Sequence, residues 1–411
     1  MFNQAWQDMW LTLFVILVLI GIFGGQGLVI GFGVIGLLVA GVSWLWNRVS
    51  LEEVSYRRDL TQRRAFIGEE FSMSVTLVNN KPVPLGRIEV HDEVPDTFTI
   101  REGHVYVSPN PNSQVLHHAT SMGWYEKIRW EYRMTCSERG FFRFGPARIE
   151  SGDLFGFYTS EMTVRDQDYV LVYPRVVPLP ELGLPNWRPL GETTGGISAF
   201  WDPSRPSGLR DYQSGDPMKI VDWKASAKAA QLRVRTFEPS STITLVIVVV
   251  VETTARYWEG YSPVHLENVI TTAASVASYA AERQYSLGMF SNGTPILAER
   301  PMKISPSRSP EQLTLILEAL ATIRPLAMGP MPAQLTEHAR RFPTGATLAV
   351  IVAFVQPELV EAISSLKRQG YKMVVLYLGD GVCPQMPEGV TVHELQGYFS
   401  SIGLTSEYGP R

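Results

Sequence analysis

Hydrophobic and polar positions along the chain fall into four regimes. From Met9 to Asn47 there is no Asp, Glu, Lys or Arg. As one helix this run would reach about 58 Å, against a hydrocarbon core of about 30 Å, so it is expected to fold back. Gly24-Gly25-Gln26-Gly27 permits the reversal. The pattern predicts a transmembrane helical hairpin, with helices over about Trp6–Phe23 and Leu28–Trp46. Gly27/Gly31 and Gly36/Ala40 have the small-residue spacing that lets two helix backbones approach in lipid. Trp6 and Trp10 at one end, and Trp44 and Trp46 at the other, suit the membrane interfaces. A cleaved signal peptide is the competing reading. No Lys or Arg precedes the apolar run, however, and no small-residue cleavage site stands out.

Residues 48–175 change to a period of two. Phe71–Asn79 places Met73, Val75 and Leu77 on one face of a strand. Arg87–Val90, Thr97–Ile100, Val105–Val107, Gln114–His117, Lys127–Met134, Ala147–Ser151 and Tyr169–Val172 read as further short strands between glycines. This spacing predicts an all-β, Ig-like antiparallel sandwich. His117 and His118 invite a metal reading, but neighbours on a strand point to opposite faces and cannot easily share one ion.

Residues 176–242 begin with a proline-marked linker (Pro178, Pro180, Pro185, Pro189). From Arg205 to Glu238, seven Lys or Arg stand against four acids. Gly215-Asp216-Pro217 predicts a turn into a helix, with Asp216 as N-cap. Asp222 is placed to cap a second short helix over Trp223–Gln231, and Leu232–Phe237 alternates as a strand. Two readings stay open. In one the charges pair and fix the segment onto the domain behind it; in the other Trp223 and the arginines form a recognition surface.

From residue 243 to 400, buried apolar runs alternate with helical periodicity. Ile243–Val251, Tyr285–Phe290, Thr347–Phe354 and Lys372–Leu378 read as strands. Pro263–Gln284, Pro310–Ile323, Pro332–Arg341 and Pro357–Gln369 read as helices. The alternation predicts a doubly wound α/β sheet, with ligands beyond the carboxyl ends of its strands. Glu252, Thr253, Thr254 and Arg256 follow the first strand, and Val355 and Gln356 follow Thr347–Phe354.

Composition narrows the function. The chain has 411 residues and a formal net charge of −4, which does not fit a basic nucleic-acid binder. Two cysteines, Cys136 and Cys383, allow neither a disulfide framework nor a cysteine-rich zinc site. Charged residues are 18% overall. Outside the first 47 residues they rise to about 21%, an ordinary soluble value. Arg48, Arg57, Arg58, Arg63 and Arg64 follow the apolar run and none precedes it, so the positive-inside rule puts the rest of the chain in the cytoplasm of a two-pass protein of the cell membrane. No Walker A loop, nucleophile elbow or His-Glu-x-x-His motif is present, and the expectation is a protein that is not an enzyme.

Several motifs together resemble the bacterial family known as "domain of unknown function 58". They are Gly68-Glu69, Arg139-Gly140-Phe141 leading to Phe144-Gly145-Pro146, Asp153-Leu154-Phe155-Gly156, Tyr173-Pro174 and Gly195-Gly196. The strongest is Leu209-Arg210-Asp211-Tyr212-Gln213-Ser214-Gly215-Asp216-Pro217, with Ile220, Asp222-Trp223, Ser226-Ala227 and Arg233-Val234-Arg235 after it. The resemblance implies a transmembrane hairpin, a sandwich-like domain and a von Willebrand factor A-like (Rossmann-type) α/β domain. It also implies association with cytoplasmic MoxR-type AAA+ ATPases. On that basis Arg210, Asp211, Tyr212, Gly215, Asp216, Asp222, Trp223, Lys224, Arg233 and Arg235 are the expected partner-binding residues.

One departure matters. Many von Willebrand factor A domains hold Mg²⁺ through Asp-x-Ser-x-Ser. Here the stretch reads Glu252-Thr253-Thr254-Ala255-Arg256, with a cation where the second Ser would stand. Gly329-Pro330-Met331 offers no Thr, and Gln356 stands where the Asp is sought. No cofactor is expected. If Mg²⁺ binds at all, Glu252 and Thr254 hold it. The expected function is that of a membrane-tethered, non-enzymatic adaptor docking a MoxR-type AAA+ ATPase in assembly or maturation of membrane or envelope complexes. The alternatives are a metal- or ligand-binding sensor working through the α/β domain, and an envelope enzyme with an unrecognised site.

Overall fold

A computed structural model describes residues 2–153, 155–184, 187, 200–213, 218, 221–240, 243–255, 257–296, 302–343 and 345–401. The chain divides into two compact units, Met1–Pro174 and Arg175–Arg411.

The first unit opens with α1 (Phe2–Phe23) and α2 (Gly27–Ser50). By length and composition α2 can cross a membrane. The two helices pack together, with Gly33 against Val18, Gly36 against Phe14 and Gly21 against Ile30. A Cβ at Gly33 would lie 3.1 Å from the Val18 backbone nitrogen, whereas Gly27 and Gly31 face open space. The close approach is therefore made at Gly21, Gly33 and Gly36, the last from the expected Gly36/Ala40 pair, and not at Gly27/Gly31. At about 100° per residue, Gly31 lies roughly on the far side of the helix from Gly33. Gly33→Leu should lower the thermal midpoint of the detergent-solubilised protein, while Gly31→Leu should leave it in place. Lys81, itself buried, donates to the carbonyls of Ser50 and Glu52 and so satisfies the end of α2.

Twelve strands follow: β1 (Val54–Leu60), β2 (Arg64–Phe66), β3 (Glu70–Asn79), β4 (Leu85–Pro95), β5 (Phe98–Arg101), β6 (His104–Val107), β7 (Ser113–Met122), β8 (Lys127–Cys136), β9 (Gly140–Phe144), β10 (Ala147–Gly152), β11 (Thr159–Val164) and β12 (Asp168–Tyr173). They form sheets in the orders β1-β3-β8-β5, β11-β10-β4-β7-β6 and β2-β12-β9. The result is a β-sandwich whose core takes Phe71, Met73 and Val75 from one sheet, Val94 and Leu116 from the second, and Phe144, Val170 and Val172 from the third. Period-two alternation supplies these residues. The strands missed in the sequence are β1, β2, β9 and β11. Of these, β1 hides because its inward-phase position 58 is an arginine.

Arg58, one of the arginines that follow the apolar run, is buried. Its guanidinium on β1 forks onto Asp92 of β4, with Nε to Oδ2 at 3.0 Å and Nη2 to Oδ1, and reaches Asp168 at the start of β12 at 3.3 Å. The Tyr56 hydroxyl donates to the same Asp92 Oδ2 at 2.6 Å. One side chain thus ties three sheets. Gly145 makes room for it, since a Cβ there would sit 3.2 Å from Arg58 Nη2 and the backbone is left-handed at φ +90°. Asp153 also has a local job. Its carboxylate accepts from the backbone N–H groups of Phe155 (3.2 Å) and Tyr158 (2.8 Å). In the turn so held, the Phe157 ring lies 5.0 Å from that of Trp10 on α1.

The second unit contains β13 (Phe200–Asp211), α3 (Trp223–Ala229) and β14 (Arg233–Ser240) ahead of an α/β sheet. The sheet is built from β15 (Thr244–Val249), β16 (Ser286–Ser291), β18 (Met302–Ser307), β20 (Thr347–Val352), β21 (Lys372–Tyr377) and β22 (Thr391–Glu394), and β17 (Gly293–Pro295) pairs with β19 (Ile323–Ala327) beside it. The order is β18-β16-β15-β20-β21-β22, parallel except for β18. Helices α4 (Pro263–Glu282) and α5 (Gln312–Thr322) pack together, as do α6 (Met331–Ala339) and α7 (Pro357–Arg368); α8 (Gln396–Ser401) closes the described chain. Val246, Val248, Val250, Leu348 and Val350 pack against α6 and α7, while α4 touches β15, β16 and β20. Helices on two faces explain why β15 and β20 are buried almost throughout.

Candidate functional site

The segment singled out in the sequence is organised around Asp222. Its Oδ1 accepts from the Ala225 N–H at 3.0 Å and caps α3, and its Oδ2 accepts from Arg235 Nε at 2.9 Å. These donors hold the Asp222 carboxyl below the usual carboxylate range, the Ala225 N–H first. Ser226 completes the join. Its hydroxyl donates to the Asp222 carbonyl at 2.7 Å and accepts from the Arg233 N–H at 2.9 Å. Helix α3 ends at Ala229, two residues short of the helix expected, and is closed by Ala230, whose backbone is left-handed. Leu232 accepts from the Tyr212 N–H at 2.9 Å, and β13 pairs with β14 from there. Residues 200–211, part of the linker and signature segment to which the sequence assigned no element, are therefore one strand of an antiparallel ribbon, with register shifts around Pro206 where no N–H is available.

The register places Leu209 opposite Arg235 and Asp211 opposite Arg233, so these four share one face; Arg210 and the buried Val234 take the other. Arg233 Nε lies 3.6 Å from Asp211 Oδ1. Arg210 donates to the Asp211 carbonyl at 3.2 Å. Lys224 follows Trp223 in the first turn of α3, and Trp223 is 61% exposed. Leu209, Leu232 and Met218 are exposed as well. Asp211 and Asp222 thus face Arg233 and Arg235, and the apolar side chains between them face solvent. Gly215 and Asp216, with the turn and N-cap expected there, lie outside the described residues.

The carboxyl end of the α/β sheet forms a second site. The chain runs from β15 to β16 on one side and returns to β20 on the other, so the switch in strand order falls between β15 and β20. Ala255, Pro330, Phe354, Gln356 and Pro357 line a cleft of about 590 Å³ there. Glu252 is half-buried, and burial pushes its carboxyl up. Asn292, missed in the sequence, is fully buried and organises this end: Nδ2 donates to Glu252 Oε2 at 2.8 Å and Oδ1 accepts from the Val251 N–H at 3.2 Å. Thr253 Oγ1 accepts from the Ser262 N–H at 2.8 Å, and the Thr254 hydroxyl donates to the Gly260 carbonyl at 2.8 Å. Glu252 Oε2 and the hydroxyls of Thr253 and Thr254 thus take part in hydrogen bonds that hold the loop. Arg256, the cation noted in the sequence after Glu252, lies outside the described residues.

The solved structures most similar to the chain include a cohesin module from a Clostridium perfringens family 33 glycoside hydrolase, at 10% identity, TM-score 0.21, and 29% and 96% of the two chains. Another is the major pilin SpaD of Corynebacterium diphtheriae, at 8% identity, TM-score 0.22, and 28% and 35% of the two chains. At these scores neither bears on function. The uncharacterized protein YeaD of Bacillus subtilis is 23% identical over 265 residues, 62% of this chain and 60% of that protein. The chain therefore spans three fifths of that relative's length. Residues 208–382, which take in the second half of the ribbon, α3 and most of the α/β sheet, match the family described as "Protein of unknown function DUF58".

Proposed function

We propose that this protein is a membrane-tethered, non-enzymatic adaptor, and that the ribbon β13–β14 with α3 docks a MoxR-type AAA+ ATPase in assembly or maturation of membrane or envelope complexes. In this reading α1 and α2 cross the cell membrane as a two-pass hairpin. The sandwich and a von Willebrand factor A-like α/β domain lie in the cytoplasm. The observation that carries the reading is Trp223. A large aromatic side chain left 61% exposed, on a short helix whose cap, return strand and arginines are already fixed by hydrogen bonds, has the make-up of an interface anchor. The ordered charge pairs keep the surface prepared, so docking loses little side-chain entropy.

Trp223→Ala should keep the thermal midpoint of the full-length protein, because the ring covers no core. It should lower the yield of an ATP-dependent AAA+ partner, captured from detergent-solubilised host membranes, by about 30-fold, the equivalent of a 2 kcal/mol anchor. Full retention of that partner would place the docking surface elsewhere. The absence of any ATP-dependent partner on the unmodified protein would end the adaptor reading.

A further inference from the structure

In the sandwich, β4 and β7 pair with His91 directly opposite His117, and β6 pairs with β7 to put His104 opposite His117 on the other side. Directly opposed residues of antiparallel strands share a face. Three of the chain's seven histidines therefore stand in one row. Glu89, two positions before His91, joins the same face. His118 takes the opposite face, where its ring stacks on Trp130 at 4.7 Å. The neighbours in sequence separate, as expected, and His117 finds other partners across the sheet.

Glu89 Oε2 lies 3.7 Å from His91 Nε2 and 3.6 Å from His117 Nε2. The three candidate ligand atoms all fall within 4.8 Å of one another. In a tetrahedral site with bonds near 2.1 Å, ligand atoms stand about 3.4 Å apart, so two of the three edges already have the required length. Each side chain is partly exposed, leaving an approach from solvent. The other carboxylate oxygen, Glu89 Oε1, accepts from Arg87 Nε at 2.7 Å. Arg87 thus fixes the carboxylate from behind and leaves Oε2 to the imidazoles, the arrangement by which outer partners orient a metal ligand. Tyr106 packs edge-on against the His117 ring at 5.6 Å.

We propose that Glu89, His91 and His117 form a binding site for a divalent transition-metal ion of the zinc class. Two imidazoles and one carboxylate select such an ion over Mg²⁺ or Ca²⁺, which prefer oxygen alone. Three protein ligands leave a coordination position open, and His104 is the next imidazole in the row. The site is independent of the docking surface proposed above, and neither proposal depends on the other.

The test is a Co²⁺ titration of the untagged full-length protein in detergent, followed by visible absorption. One equivalent should bind with the intense bands of a low-coordinate ion and be displaced by Zn²⁺. His91→Ala and His117→Ala should each weaken it at least tenfold, and His265→Ala should not. These side chains lie outside the core, so the metal-free variants should keep the thermal midpoint, and Zn²⁺ should raise that midpoint in the unmodified protein alone. A Co²⁺ spectrum that stays that of the aqua ion, or bands that persist in the protein carrying both His91→Ala and His117→Ala, would overturn the site.

Discussion

Arg58→Leu is expected to destabilise the sandwich by about 3–5 kcal/mol, the cost of leaving a buried carboxylate without its partner. Asp92 is completely buried and Arg58 nearly so, and water can reach neither side chain to replace the other. The pair is bidentate, and Asp92 also accepts from Tyr56, so removing the guanidinium leaves one donor where there were three. Lysine should not rescue it, because an ammonium cannot present two parallel donors. Replacing Arg58 and Asp92 together by apolar residues of similar volume should recover most of the loss, since the cost lies in the orphaned charge. Amide hydrogen exchange of β1, β4 and β12 in the full-length protein reports this unit by itself. Unchanged protection in Arg58→Leu would show that the fork does not hold the three sheets together.

Acid should weaken the same sandwich through His118. Burial, with a smaller contribution from His117, lowers its imidazole from the ordinary 6.5 to about 4. Its Nδ1 shares a hydrogen bond of 2.9 Å with the Tyr132 hydroxyl, and Nε2 has no partner among the described residues. A folded pKa below the unfolded one means that the unfolded chain takes up the proton first as pH falls. The stability is therefore full above pH 6.5 and is lost progressively down to about pH 4, a total on the order of 3 kcal/mol. His118→Phe, which keeps an aromatic ring against Trp130, should flatten the profile over that window. A profile as steep in the variant as in the parent would assign the acid sensitivity to other groups.

The two sites differ in how far the sequence reveals them. Asp222 as a helix cap was legible because capping is local: the acceptor and the N–H it meets are three residues apart. That Arg235 completes it was not, since the return of β14 sets that distance. The metal-ligand group shows the same limit. His117 alone carries no pattern, and His91 lies 26 positions upstream; only the register between β4 and β7 makes them neighbours. Asn292 gave no signal either, because a single buried amide is recognised by what surrounds it.

By itself the sequence determined the charge-free N-terminal run, the period-two strands of the sandwich and the apolar runs alternating with helices in the α/β sheet. Those features follow from which side of an element faces water, a property written every two or every three to four residues. Tertiary structure decided the rest. It made Arg58 the joint of three sheets, kept Gly36 of the expected small-residue pairs in the helix contact while putting Gly33 there in place of Gly27 and Gly31, and gathered Glu89, His91 and His117 on one face. Each of these depends on strand register or helix rotation, and a shift of one or two residues there changes every neighbour while leaving the local pattern intact.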